Sequence, residues 1–126
     1  MRASRQSYSR SQRVAEMIQR ELGMYFIKGS CKDIRLENKY ITVTYIRLSD
    51  DLKHAKVFIR ILGDEGVEAS CLEALNENAY KIKKNIARKL KLRFTPSMSF
   101  AEDIDFIKNQ KLFELIEDVT SEGGAS

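Results

Sequence analysis

Apolar residues near the start of the chain recur with the spacing of an α-helix. From Ser11 to about Lys28 they fall three or four positions apart, which is typical of a helix that buries one side. The residues of this series are Val14, Met17, Ile18, Leu22, Tyr25 and Phe26. Gly29 then supplies a residue that favours the end of a helix.

The next two segments have the composition and period of β-strands. Residues 40–48, YITVTYIRL, are rich in β-branched and aromatic side chains, but their apolar positions change sides near Tyr45. Either both faces of this strand are covered or a bulge shifts its phase. Residues 54–62 alternate cleanly, which predicts a half-buried strand of an antiparallel sheet. The turn-forming residues 49–51 favour a hairpin between the two strands.

A second helical pattern extends from 67 to 92, which is long for a helix in so small a domain. Its apolar positions are Leu72, Leu75, Ala79, Ile82, Ile86 and Leu90. Asn76 and Asn78 are weak helix formers, so we expect a break between Asn76 and Tyr80. The pattern therefore predicts two helices joined by a kink.

A third strand and a last helix are predicted beyond that pattern. Pro96 ends the helical segment, because a residue that precedes proline is pushed into extended conformations. Residues 97–101 alternate and predict a short strand. Helical spacing then returns over 103–119, at Ile104, Ile107, Leu112, Leu115, Ile116 and Val119. The order of elements predicts an α+β two-layer sandwich, in which helices cover one face of a three-stranded sheet.

The two ends of the chain lack this organisation. Residues 1–12 are rich in Ser and Arg without apolar periodicity, which predicts a flexible basic arm; a short organelle transit peptide is the alternative. Residues 120–126 predict a disordered tail. We therefore expect one folded domain at 13–102, followed by an amphipathic helix at 103–119.

Charge is segregated along the chain, although the formal net charge is only +4. Residues 1–15 and 81–93 contain no acid, whereas 102–126 is mostly acidic. Like charges three or four residues apart destabilise a helix by about 0.2–0.5 kcal/mol per pair. A run of cations at that spacing therefore favours a polyanionic partner, and a merely solvated surface is the alternative.

The predicted nucleic-acid surface combines the basic helix with the arm and one aromatic residue. The predicted RNA-binding residues are Arg10, Arg13, Tyr80, Lys81, Lys84, Arg88, Lys89, Lys91 and Arg93. The cations would hold and orient phosphates without reading sequence. Tyr80 or Phe58 would stack on an unpaired base, and core packing is the alternative for both rings.

The remaining chemistry predicts neither an enzyme nor a metal site. Cys31 and Cys71 are distant in sequence and His54 is the single histidine, too few ligands for zinc, so both thiols are expected to be reduced. Ser49 and Asp51 near that histidine fit a turn better than a catalytic group. We expect no cofactor and no small-molecule substrate. Without an apolar run of roughly 20 residues or a signal-peptide pattern, we expect a cytoplasmic protein that binds no membrane.

Several short segments, in their order and spacing, resemble the ribosome-binding factor A family. They are RVAEMIQREL at 13–22, Thr42-Val43-Thr44, Leu48-Ser49, Asp51-Leu52, Ala55, Lys56-Val57, Leu75-Asn76, Leu92-Arg93, Pro96, Phe100 and Asp103. The resemblance covers nearly all of the predicted folded chain. No single segment is decisive, but together they are specific.

The resemblance implies a KH-like fold of the second topological kind. Ordinary KH domains clamp nucleic acid with a GXXG loop, which this family replaces with an Ala-x-Gly kink. The aligned residues here are Asn78, Ala79 and Tyr80, so the chain departs from the pattern at both the alanine and the glycine. A GXXG string does occur at Gly63 to Gly66, but it encloses two acids, which repel phosphate, and is interpreted as a turn.

The resemblance also implies a function. A member would bind the free, immature 30S ribosomal subunit and its 16S rRNA as a monomer, and would promote late maturation, including processing of the 16S 5′ end. It would not be an enzyme. The alternative from another class is a nuclease that acts directly on precursor rRNA. Such an enzyme needs a metal-binding acidic cluster or a cofactor pocket, and the sequence contains the pattern of neither.

Overall fold

In the computed structural model, which describes residues 9–105, helices and strands follow the predicted order. The elements are α1 (Arg10–Ile27), a 3-10 turn (Ile34–Leu36), β1 (Ile41–Leu48), β2 (His54–Ile61), α2 (Ala69–Glu77), α3 (Ala79–Lys89) and β3 (Ser97–Glu102). The predictions for residues 1–8 and 106–126, including most of the C-terminal helix, lie outside the described residues. No helix within the described range has the length and apolar character needed to cross a membrane.

The first helix begins inside the segment predicted to be an arm. The backbone N–H of Gln12 donates to the Ser9 hydroxyl (3.2 Å), and the Ser9 N–H donates to the Gln12 side chain (2.7 Å). This capping box satisfies N–H groups that a helix start leaves without partners. Residues 10–12 are therefore helical, which corrects the predicted end of the arm. At the other end of α1, Gly29 adopts a φ of 64°, the left-handed conformation that commonly follows a helix.

β1 and β2 form the predicted antiparallel hairpin, and a bulge explains the change of phase in β1. The register shifts between Val43 and Tyr45. As a result, Val43 and Ile46 are both buried, whereas Tyr45 is exposed. Thr44 lies in the bulge, where its hydroxyl oxygen is 3.2 Å from the carbonyl oxygen of Phe58. Of the two alternatives for this strand, the bulge is the correct one.

β3 lies on the other side of β2 and runs parallel to it, with Ser97 opposite His54 and Glu102 opposite Ile59. The expectation of an antiparallel sheet is therefore wrong for this pair. The physical reason is the connection, because α2 and α3 form a crossover long enough to return the chain to the same end of the sheet.

The long helical pattern breaks at Asn78, inside the predicted stretch. Asn76 stays within α2 and has a separate role. Its side-chain oxygen accepts a hydrogen bond from the N–H of Phe100 (2.8 Å), and its amide donates to the Phe100 carbonyl (3.0 Å). One asparagine thus replaces a neighbouring strand at the outer edge of β3, where backbone groups otherwise lack partners.

The core lies between the three helices and one face of the sheet. Its largest fully buried side chains are Ile18, Leu22, Val57, Ile59, Cys71, Leu75, Ile82, Ile86 and Pro96. Most of them come from the apolar series that predicted the elements, and each buried aliphatic side chain contributes about 1.5–3 kcal/mol. Cys71 is buried and Cys31 half-buried, and both are free thiols, as expected.

We predict that Asn76→Ala lowers the free energy of unfolding by about 1–3 kcal/mol, because it leaves backbone groups of the buried Phe100 without partners. Urea unfolding measures the change. Asn85→Ala is the matched control, since the Asn85 side chain has no hydrogen bond to any residue in the 9–105 range. Alanine is the better helix former, so the control should not be destabilised. Equal stability of Asn76→Ala and the parent protein would contradict the role assigned to this amide.

Candidate nucleic-acid interface

α3 has one buried side and one charged side. Ile82 and Ile86 are four residues apart and are 0% and 1% exposed. Because both must face the core, they determine the rotation of the helix about its axis. Lys81, Lys84 and Arg88 consequently lie on the exposed part of its surface.

The charges of α2 and α3 are partnered differently. Arg35 forms ion pairs with Glu77 (2.7 Å) and Glu73 (3.6 Å), and Lys39 lies 3.7 Å from Glu68, the residue that precedes α2. In contrast, no cation of α3 forms an ion pair with any residue between 9 and 105. The acids around α2 are therefore neutralised locally, whereas the cations of α3 remain available to an external anion.

An aromatic residue adjoins these cations at the start of α3. Tyr80 is 68% exposed, and the Nζ of Lys84 lies 5.5 Å from the centre of its ring. A cation at that distance is attracted by the ring's π electrons. Phe58, the other aromatic considered for stacking, lies instead on β2, where Arg47 and Lys56 approach its ring.

A groove of about 320 Å³ separates α3 from the loop that follows α1. It is lined by Tyr25, Ser30, Cys31, Lys32, Asn78, Lys81, Lys84, Asn85 and Arg88. The structure thus brings together the three central cations of the predicted site. It also adds Lys32, which the sequence analysis missed, because a single lysine in a loop without periodicity carries no signal.

The groups that line the groove beside α1 are neutral near physiological pH. Burial raises the pKa of Tyr25 to about 12, and the neighbouring Cys31 raises it further. Burial also raises the pKa of Cys31, as does the nearby carboxylate of Asp33. Neither the phenol nor the thiol therefore carries a negative charge that would repel a phosphate.

A hydrogen-bond network around Asp33 holds the kink between α2 and α3. The carboxylate accepts from the Arg35 guanidinium at 2.9 and 2.7 Å and from the Arg35 N–H at 3.0 Å. It also accepts from the side-chain amide of Asn78 (3.0 Å), which donates to the carbonyl of Ala74 as well (2.8 Å). The hydrogen bonds from Arg35 hold the pKa of Asp33 well below its usual range. Of the predicted kink residues, Asn78 forms the break, and Ala79 and Tyr80 begin α3.

The other predicted RNA-binding residues do not line the groove. Arg10 and Arg13 are exposed in the first turn of α1. Arg13 lies about 18 Å along the helix axis from Tyr25, at a rise of about 1.5 Å per residue. Lys89 ends α3, and two further cations, Lys91 and Arg93, follow it; all three are exposed.

The glycine string at Gly63 to Gly66 forms a turn after β2, as predicted. The N–H of Asp64 donates to the carbonyl of Ile61 (3.1 Å). Gly63 has a φ of 91°, a backbone angle that residues other than glycine rarely adopt. The string connects a strand to a helix, whereas the clamping loop of an ordinary KH domain connects two helices.

The residues weighed as catalytic in the sequence are part of the β1–β2 turn. The Ser49 hydroxyl donates to the Asp51 carboxylate (2.6 Å) and accepts from the N–H of His54 (3.0 Å). Asp51 also accepts from the N–H of Lys53 (3.0 Å), and the His54 ring is hydrogen-bonded to the Ser97 hydroxyl (2.8 Å). Among residues 9–105, no group of three or more His, Cys, Asp or Glu side chains could hold a metal ion.

Fold and surface together define a class of protein. A mixed three-stranded sheet is covered on one face by α1 and by two helices that meet at a kink. This is the KH-like α+β sandwich of the second topological kind, with exposed cations beside the kink.

Comparison with known proteins identifies the family. Residues 10–116 match the sequence model of the family described as ribosome-binding factor A. The ribosome-binding factor A of Geobacter metallireducens is 31% identical over 119 residues, which cover 94% of this chain and 98% of that protein. The chain belongs to the ribosome-binding factor A family.

Solved structures show the same fold. The solution NMR structure of a Thermotoga maritima protein described as a ribosome-binding factor A has a TM-score of 0.57 and 28% identity, and the match covers 71% of this chain and 83% of that one. A homology model of the Thermus thermophilus ribosome-binding factor A, as fitted into a cryo-EM map of its complex with the 30S subunit, has a TM-score of 0.56 and 24% identity, and the match covers 69% of this chain and 88% of that one. The likeness to the Thermus protein supports the fold alone.

We predict that Asp33→Asn destabilises the protein near neutral pH, because Arg35 loses its carboxylate partner. The folded-state pKa of Asp33 is lower than its unfolded value of about 3.9. Its contribution is therefore complete above that pH and is lost as pH falls through the folded-state pKa. The stability difference between the two proteins should be constant from about pH 5 to 8 and shrink below about pH 4.

Urea unfolding over this pH range tests the prediction. Asp50→Asn is the matched control, because Asp50 is an exposed carboxylate whose side chain has no hydrogen bond within the described part of the chain. It should leave stability unchanged at every pH. A destabilisation by Asp33→Asn that did not vary with pH would mean that the charge of the carboxylate does not hold the kink.

Proposed function

We propose that this chain is an assembly factor that binds the immature 30S ribosomal subunit through its 16S rRNA. The observation that carries the proposal is the set of exposed cations on α3 that no acid of residues 9–105 pairs with. The description of the related Thermus protein in a 30S complex supports the choice of partner. Family membership supports the role.

In this proposal α3 and its groove contact the RNA backbone. Lys81, Lys84 and Arg88 follow one another at three and four residues, which places neighbouring side chains about 5–6 Å apart on the helix surface. Lys32 adds a fourth cation from the opposite wall of the groove. Such contacts position the protein on RNA without reading its sequence. Selectivity then depends on the shape of the folded rRNA.

Tyr80 supplies the contact that is not electrostatic. Its ring is exposed at the end of the row of cations, so it can stack on a base that the immature RNA leaves unpaired. The more distant cations, Arg10, Arg13, Lys89, Lys91 and Arg93, attract the surrounding rRNA. Each phosphate that they neutralise makes binding more sensitive to salt.

We further propose that the chain acts as a monomer, by binding rather than by catalysis. Holding the RNA in a mature shape favours late maturation, including 5′-end processing of 16S rRNA, while another protein carries out the cleavage. The hydrogen bonds of Ser49, Asp51 and His54 within the β1–β2 turn support this assignment, because they leave these groups engaged in structure.

We predict that changing Lys84, Arg88 and Lys91 together to Glu abolishes co-sedimentation with free 30S subunits. The fold should survive, because all three side chains are exposed. Circular dichroism checks the fold, and sucrose-gradient centrifugation measures the binding.

The matched control for this variant changes Arg20, Lys28 and Lys53 to Glu. These cations are also exposed but lie on α1, at the end of α1 and in the β1–β2 turn. The net charge of the two variants is the same, so non-specific attraction to RNA is weakened equally. If the α3 variant sediments with 30S subunits as well as the control does, α3 is not the docking surface.

Incubation with precursor 16S rRNA and Mg²⁺ separates the proposed function from a nuclease. We expect the purified chain to leave the RNA intact, because no metal-binding cluster exists within residues 9–105. Gel analysis of the RNA ends provides the measurement. Specific cleavage that co-purifies with the chain and is lost in His54→Ala would establish an enzyme instead.

A further inference from the structure

The face of the sheet that points away from the helices is aromatic at its centre and basic around it. Side chains alternate between the two faces of a strand, so the strand positions that lie between the buried ones form this outer face. Its central residues are Tyr45, Arg47, Lys56, Phe58 and Arg60. None of the strand positions on this face is acidic.

The contacts on the outer face are short and specific. The rings of Tyr45 and Phe58 lie 5.9 Å apart and are inclined by 35°. The guanidinium carbon of Arg47 is 5.2 Å from the centre of the Phe58 ring, and the Nζ of Lys56 is 5.5 Å from it. An apolar centre with a cationic rim is the pattern of a surface that receives a partner with apolar and acidic groups.

The residues that follow β3 lie next to this face. The N–H of Asp103 donates to the carbonyl of Ile59 (3.0 Å), which extends the pairing with β2 by one residue. The carboxylate of Asp103 accepts a hydrogen bond from Thr44 in the bulge of β1, so its side chain reaches across β2. Ile104, the next residue, is 65% exposed and lines the same cleft as Phe58.

The segment that follows has complementary chemistry. Its apolar positions are Ile104, Phe106, Ile107, Leu112, Phe113, Leu115, Ile116 and Val119, and all but the two phenylalanines follow one helical spacing. Its acids are Glu114, Glu117 and Asp118, against Lys108 and Lys111. As a helix, residues 103–119 would extend about 25 Å, close to the length of about 26 Å expected for an eight-residue strand such as β2.

We propose that residues 106–119 pack as an amphipathic helix across the outer face of the sheet. The apolar side of the helix covers Tyr45 and Phe58, and its acids lie beside Arg47, Lys56 and Arg60. This segment converts the two-layer domain into one with three layers. It also keeps an aromatic, basic surface away from RNA, so that rRNA binds on the α3 side alone.

A tryptophan reporter tests the proposal, because the chain contains no tryptophan of its own. Phe58→Trp in the full chain places a single fluorophore at the centre of the outer face. We expect this tryptophan to be shielded from acrylamide. Adding Leu115→Glu should increase the quenching constant severalfold, because it places a charge in the apolar side of the segment. Gln110→Glu is the matched control, since position 110 falls opposite that side in a helical projection.

A second pair of variants leaves the segment itself unchanged. Lys56→Glu reverses a charge on the outer face and should also increase quenching, whereas Lys53→Glu in the β1–β2 turn should not. Circular dichroism verifies that each variant is folded. All of these measurements use the free protein, so they do not depend on the proposed ribosomal function.

Two results would overturn the proposal. The first is a quenching constant that Leu115→Glu and Lys56→Glu leave unchanged. The second is a tryptophan that is freely quenched in the free protein and becomes shielded only when 30S subunits are added. That outcome would make ribosomal RNA, and not the C-terminal segment, the occupant of the outer face.

Discussion

The burial of Ile82 and Ile86 against the sheet is the contact on which the basic surface depends. Because these residues are four positions apart, a single rotation of α3 about its axis buries them both. In that rotation Lys81, Lys84 and Arg88 must be exposed. The same packing therefore stabilises the domain and orients its cations, and the charged surface cannot be rearranged without loss of the core.

The kink at Asn78 determines which charges meet. In a straight helix, Glu77 and Lys81 would be four residues apart, in the order that favours an ion pair. The break separates them into two helices, and Arg35 takes Glu77 as its partner at 2.7 Å. Lys81 is consequently left without an acid among the residues that the structure describes. A local network around one arginine thus keeps the cation of the neighbouring helix available to an external anion.

Local features were predictable from the sequence, whereas features set by tertiary packing were not. The break at Asn78 follows from the weak helix propensity of asparagine. The bulge in β1 was one of the two explanations for apolar positions that change from one side of the strand to the other. The direction of β3 could not be predicted from its pattern, because side chains alternate along a strand in either kind of pairing. Lys32 and Asp33 were missed for a related reason. Their loop has no period, and their roles exist only because the loop packs against α3.

The departure from the family's Ala-x-Gly kink changes the surface that this chain offers to RNA. A glycine at the third position would expose bare backbone, which a nucleic acid can approach closely. Here Asn78 breaks the helix at a negative φ (φ −95°, ψ 5°) and with a hydrogen bond to Asp33, so no glycine is required. Tyr80 then covers the backbone with an exposed ring that Lys84 approaches to 5.5 Å. Any contact at this kink must therefore pass through a side chain, and the exposed ring of Tyr80 occupies the position at which a glycine would leave the backbone bare.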